Sequence, residues 1–194
     1  LWDSSTLDGF SLLLQNGFRL RCMLGASIRT VLCDQFGVTE DYLDNRIGTL
    51  FLDDRPVDEV NGAVVRVGAT LALSAAMPGL VGAAMRKGGP IASFRDGITH
   101  TGSEGVVTRE EGFFTLKLYN MVARELGPLF LKRGIWVQAD DLNEFFRTRS
   151  NMFWAGCQRI ELQGVELLLE ELLRGQWASE AVEVLLRVIT DPHE

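Results

Sequence analysis

Two short stretches hold the residue types from which a site is most readily built. Met85-Arg86-Lys87-Gly88-Gly89-Pro90 sets two cations beside two glycines. As an anion nest, Arg86 and Lys87 would supply charge while the backbone amides of Gly88 and Gly89 curl around a phosphate or carboxylate. The G-x-x-x-x-G-K-[ST] spacing that wraps a nucleotide phosphate is missing. As a reactive tail, Gly-Gly would need a free carboxylate, which exists here only after a cut between Gly89 and Pro90. As plain punctuation, Gly88 stops a short helix over "LVGAAMRK" and Gly89 loosens the join that follows.

The second stretch, "RDGITHTGSEG" at 95–105, is where a histidine sits near acids and hydroxyls: His100 with Asp96, Thr101, Ser103 and Glu104. A general base or nucleophile needs hydrogen-bond geometry as well as proximity in the chain, so the stretch reads equally as solvated loop. A third candidate is aromatic. Trp136, Phe145, Phe146, Phe153 and Trp154 crowd residues 134–157, with Phe145 and Phe146 assigned to the core. "NMFWAG" reads as a loop presenting Met152 and Trp154 outward as a docking surface. The candidate binding residues are therefore Arg86, Lys87, Gly88, Gly89, His100, Met152 and Trp154. No catalytic set, metal site or cofactor site emerges.

Composition narrows the classes. The 194 residues are 46% hydrophobic and 23% charged, ordinary for a globular chain. The net charge of −7 disfavours nucleic-acid binding, which needs clustered Lys and Arg. No apolar run approaches the roughly 20 residues of a membrane span, and the N-terminal residues lack the order of a signal peptide. The cytosol is the default expectation, with no membrane partner. Cys22, Cys33 and Cys157 are odd in number and widely spaced, which fits reduced, buried thiols better than disulfides or zinc.

The elements that must position these residues follow from periodicity. Asn16-Gly17 between apolar runs predicts an antiparallel hairpin over 10–24. Ser27 then caps a helix with Ile28, Val31, Leu32 and Phe36 on one face, and Gly37 stops it. "TLFLDDRPVDEV" predicts a strand and turn, and "AVVRVGATLALSAA" a short strand, a bend and a last strand near Ala75. Strand, strand, helix, strand, strand is the order of a β-grasp, in which a mixed sheet curls around one helix with its first and last strands side by side.

Residues 9–82 resemble the small ubiquitin-like sulfur carriers of thiamin and molybdopterin synthesis. The likeness rests on "GASIRTVL", "LFLDDRPVDEV" and "VRVGATLALSAAMPG". It implies a β-grasp fold and a surface used for protein docking. The family's terminal Gly-Gly would align near Val81-Gly82, where the first glycine is missing.

From Gly79 to Gly112 eight glycines and scattered charges predict a linker or ordered loop. Beyond it, Phe114, Leu118, Met121, Val122 and Leu126 predict a helix interrupted at Gly127-Pro128, with Glu110-Glu111 at its start. "GIWVQ" predicts a strand, "ADDLNEFFRTR" a helix capped by Asp140, and "CQRIEL" another strand. Helical stripes over 165–173 and 178–189 predict an antiparallel pair, although "VEVLLRV" also alternates as a strand does. The expected organisation is α+β: a β-grasp domain over 1–82, a Gly-rich segment over 83–112, and a helix-rich α+β domain over 113–194.

The resulting expectation is a noncatalytic binding or adaptor protein, its partner another protein or a second copy of itself. Two alternatives stand beside it: a sulfur-carrier precursor cut after Gly89, and a small enzyme using the 95–105 loop.

Overall fold

The computed structural model describes residues 4–76, 82, 85, 86, 108–180 and 182–189. The chain opens with a 3-10 turn, Ser4–Phe10, and helix α1, Ser11–Asn16, followed by strands β1, Phe18–Leu24, and β2, Ala26–Ser27. Two wide helical turns, Thr30–Gln35 and Tyr42–Arg46, lead to β3, Thr49–Leu52, β4, Arg55–Pro56, β5, Val64–Val65, and β6, Thr70–Ser74. The later part supplies β7, Glu110–Tyr119, α2, Asn120–Arg133, β8, Ile135–Gln138, α3, Ala139–Arg147, and α4, Asn151–Ala155. It ends with β9, Ile160–Leu162, β10, Val165–Leu167, α5, Leu169–Arg174, a 3-10 turn, and β11, Glu183–Leu186.

The fold is mixed α+β around a seven-stranded sheet in the order β11-β8-β1-β7-β6-β3-β4. The parallel pair β6–β7 lies inside it, Leu71 opposite Leu116 and Leu73 opposite Leu118, flanked by antiparallel β3 and β1. Period-two alternation sends Phe18, Leu20, Leu50, Leu71, Phe114 and Leu116 to one face, where all are buried. Helical side chains close over that face. Phe36 stands 6.1 Å from Phe114 and 5.7 Å from Phe130, and Phe130 lies 5.7 Å from Phe18. Phe10 extends the layer toward Phe145 and Phe153 at 5.5 and 5.2 Å.

Several expectations hold. Ser27 Oγ accepts the Thr30 amide at 3.2 Å, Ile28, Val31, Leu32 and Phe36 are buried, and Gly37 takes φ +79°. The strand over 49–52, its turn, the bend at Gly68 and the strand over 70–74 stand where the pattern puts them.

Others are corrected. Residues 10–24 are a helix and one strand rather than a hairpin, because Phe10, Leu13 and Leu14, at i, i+3 and i+4, all bury their side chains. Gly17, at φ +111°, makes the helix-to-strand corner. The strand at 18–24 does not pair with that at 70–74, since β7 lies between them. Phe114 and Leu118 belong to that strand and not to a helix. Their spacing of four is also two steps of two, with Leu116 between them on the buried face.

Glu110-Glu111 consequently opens a strand. The helix that follows runs through Gly127-Pro128 without stopping, since Leu126, Phe130 and Leu131 anchor both sides in the core. An added Cβ at Gly127 would come within 2.6 Å of Leu14 Cδ1, so the glycine serves the approach of α1. Asp140 lies in the first turn of α3, whose N-cap is Gln138. Of the predicted helix pair the described residues hold only part of the first member: α5 covers 169–174 and ends at Gly175, φ +72°. Val165 and Leu168 are 63% and 70% exposed around a short strand, and residues 183–186 take the alternative strand reading, paired with β8.

Candidate functional site

The helices pack on one face of the sheet, leaving the side chains of opposite parity on the other. Among the described residues two hollows interrupt that second face, each traceable to a local decision of the chain.

The first arises because β8 pairs with β1 at one position only, Arg19 opposite Trp136, before the backbone turns away at Gly134, φ +106°. Beyond that point the edge of β1 away from β7 has no strand beside it among the described residues. The side-chain amide of Gln35 stands in for one: Met23 N–H donates to Oε1 at 2.9 Å, and Nε2 donates to the Met23 carbonyl at 2.8 Å. Arg133 Nη1 donates to the Gln35 carbonyl at 2.5 Å and fixes the stand-in. The groove left beside it encloses about 470 Å³. Its apolar groups are Met23 and Leu185, 46% and 42% exposed, with Trp136 half-buried. Its charged groups are Arg21, Arg133, Arg187 and Glu111, an excess of cations on a chain of net charge −7. Arg21 pairs with Glu111 at 3.0 Å. Nearby, Arg19 lies 4.4 Å above the Phe113 ring and meets Glu183 at 2.5 Å.

The second hollow lies over β6. Across the sheet Ala72 faces Phe51 on one side and Lys117 on the other, and Ser74 faces Thr49 and Tyr119. Small side chains between large ones leave a trough of about 430 Å³, bounded also by Asp54, Thr70 and Asn120. Asn120 adopts φ +53°, a left-handed conformation that Asn tolerates better than most residues. Its Nδ2 donates to Ser74 Oγ at 3.1 Å and to the Ala76 carbonyl at 2.8 Å, which closes one end of the trough. Asp53 and Asp54, at φ +49° and +63°, make the turn between β3 and β4 at the other end. The Asp53 carboxylate accepts the Thr70 amide at 2.8 Å, so it is committed to the sheet, whereas Asp54 is left at the trough.

Of the residues singled out in the sequence, Arg86 is exposed, and Lys87, Gly88, Gly89 and His100, with the rest of the 95–105 loop, lie outside the described residues. Met152 is 85% exposed, as expected. Trp154 is 7% exposed and turns inward, its ring 5.3 Å from Phe146 and 5.0 Å from Phe153. The reason is that "NMFWA" is a helical turn and not a loop. Ser150 caps it by accepting the Phe153 amide, and the roughly 100° step per residue puts 153 and 154 inside while 152 points out.

Lys117 and Tyr119 were missed because 114–126 reads as a helix, and Ala72, inside the strand expected at 70–74, because nothing in that strand names Lys117 as its neighbour. The alternation Phe113-Thr115-Lys117-Tyr119 against Phe114-Leu116-Leu118 was the available signal. Arg21 and Met23 were hidden inside a supposed hairpin.

Away from both hollows, one ionisable cluster ties two elements together. Arg46 and Tyr42 both donate to the Glu125 carboxylate, Nε at 2.9 Å and the phenol at 2.7 Å. The guanidinium holds Glu125 down at about 2, and burial together with that carboxylate pushes the Tyr42 phenol up. Burial pushes the Cys22 thiol up to about 11 and raises Cys33 and Cys157 as well, the opposite of what a nucleophilic thiolate requires. No helix among the described residues is long and apolar enough to cross a membrane. No family model, curated protein or solved structure matches this chain.

Proposed function

We propose that the protein is a noncatalytic binding protein that docks an acidic protein partner in the groove beside β1. The observation that carries this reading is the groove itself: exposed Met23 and Leu185 beside half-buried Trp136, between Arg21, Arg133 and Arg187, at a stretch of β1 edge that β8 leaves unpaired. Exposed apolar groups ringed by arginines are the composition of a binding patch, where aromatic and Arg side chains hold most of the energy.

The proposed scaffold is a rearranged β-grasp. In support, β6 runs parallel to its neighbour between antiparallel flanks, with the 30–35 turn connecting β1 to β3. In this reading β7 takes the place beside the last strand that a β-grasp reserves for its first.

A photo-crosslinking residue at Leu185, with one at Glu170 on α5 as control, tests the docking in the native cell. The expected result is a discrete adduct from 185 alone, reduced at least about tenfold by the double change Arg21→Glu and Arg187→Glu. An adduct of twice the chain mass would identify a second copy in place of an acidic partner. Equal labelling from both positions, or no adduct from 185, would sink the proposal.

A further inference from the structure

We infer that the trough over Ala72 binds a small zwitterion with an apolar side chain, about the size of a dipeptide. Its carboxylate lies on Lys117, its ammonium on Asp54, and its side chain over Ala72 between Phe51 and Tyr119. This site is separate from the groove beside β1, and the two readings fail independently.

The trough has the capacity of a small-ligand site, its 430 Å³ falling within the roughly 300–1,000 Å³ such sites occupy. Its charges are what select the ligand. Arg19 and Arg21, the cations of β1 on this face, are matched by Glu183 and Glu111. Lys117 is half-buried at the trough wall and has no ion pair among the described residues, and Asp54 has none either. Both groups border one cavity, yet they do not meet each other.

The spacing explains why. Asp54 follows β3 and Lys117 is on β7, two strands away and about two residues off in register, so their backbones are separated by about 12 Å. A single molecule with charges several ångströms apart bridges them, and the termini of an extended dipeptide are about 6–7 Å apart. The missing side-chain volume at Ala72 leaves a slot for an apolar group, with Phe51 and Tyr119 as walls. The ends are preset: the left-handed turn fixes Asp54, and the two hydrogen bonds of Asn120 fix the other limit.

Titration calorimetry with alanyl-phenylalanine as probe tests the site. Wild-type protein is expected to bind it. Lys117→Met should weaken binding about tenfold, as should replacing the probe's carboxylate by an amide, and the two changes together should cost no more than either alone. Asp54→Asn and N-acetylation of the probe should form the same kind of pair. Ala72→Leu should abolish binding by filling the slot, with thermal unfolding unchanged as the control for folding. Arg21→Glu should leave binding as in wild type. No heat of binding at about 10 mM probe, an affinity weaker than about 3 kcal/mol, overturns the inference. So does binding that is indifferent to both Lys117→Met and Asp54→Asn.

Discussion

Glu125 shows how single residues on this chain serve the fold rather than chemistry. Its carboxylate accepts from Arg46 and Tyr42 and so ties the 42–46 turn to α2. Because its folded pKa is depressed to about 2, its contribution is fully present above the ordinary carboxylate value near 4.5. That contribution is lost as pH falls toward 2. Glu125→Gln is therefore expected to lower the urea midpoint at pH 7 and to converge with wild type near pH 2; a constant offset across that range would show that the carboxylate charge is not the source. Trp154 carries a different lesson at this scale. Its type suggested a docking anchor, but a one-position step along a helical turn decides between solvent and core, and only Met152 fell outside.

Gln35 shows how an element is completed by a side chain. β1 would expose bare backbone where β8 turns away, and the Gln35 amide, with one donor and one acceptor, reproduces a neighbouring peptide at Met23. Gln35→Ala should cost about 1 kcal/mol in urea unfolding and speed hydrogen exchange at the Met23 amide. Unchanged exchange there would mean that the backbone finds another partner. Strand β7 teaches the converse about legibility. Its ten residues carry a clear alternation, yet the helical reading of 114–126 competes because 114, 118, 121, 122 and 126 also fit a 3.6 period. Local pattern cannot settle it. The neighbours β1 and β6 on both sides do, by supplying hydrogen-bonding partners that no helix could use.

At the scale of the whole molecule, β7 joins the first part of the chain to the last. It sits between β1 and β6, while β8 and β11 extend the same sheet beyond β1. A fragment ending at residue 108 would lack the strand between β1 and β6 and is expected to show no cooperative unfolding transition; a sharp transition by circular dichroism would show that the N-terminal part folds alone.

By itself the sequence determined the α+β mixture, the capped helical turn at 28–36 and the strands at 49–52 and 70–74. Those depend on side-chain period, caps and turn residues a few positions apart. Tertiary structure alone decided which strands lie side by side, and hence both hollows: a groove exists where β8 leaves β1, and a trough where Ala72 meets Phe51 and Lys117. The physical reason is that these pairings join residues distant in the chain, 21 positions for Phe51 and Ala72, 45 for Ala72 and Lys117 and 117 for Arg19 and Trp136, and nothing in the local alternation of either strand names its neighbour.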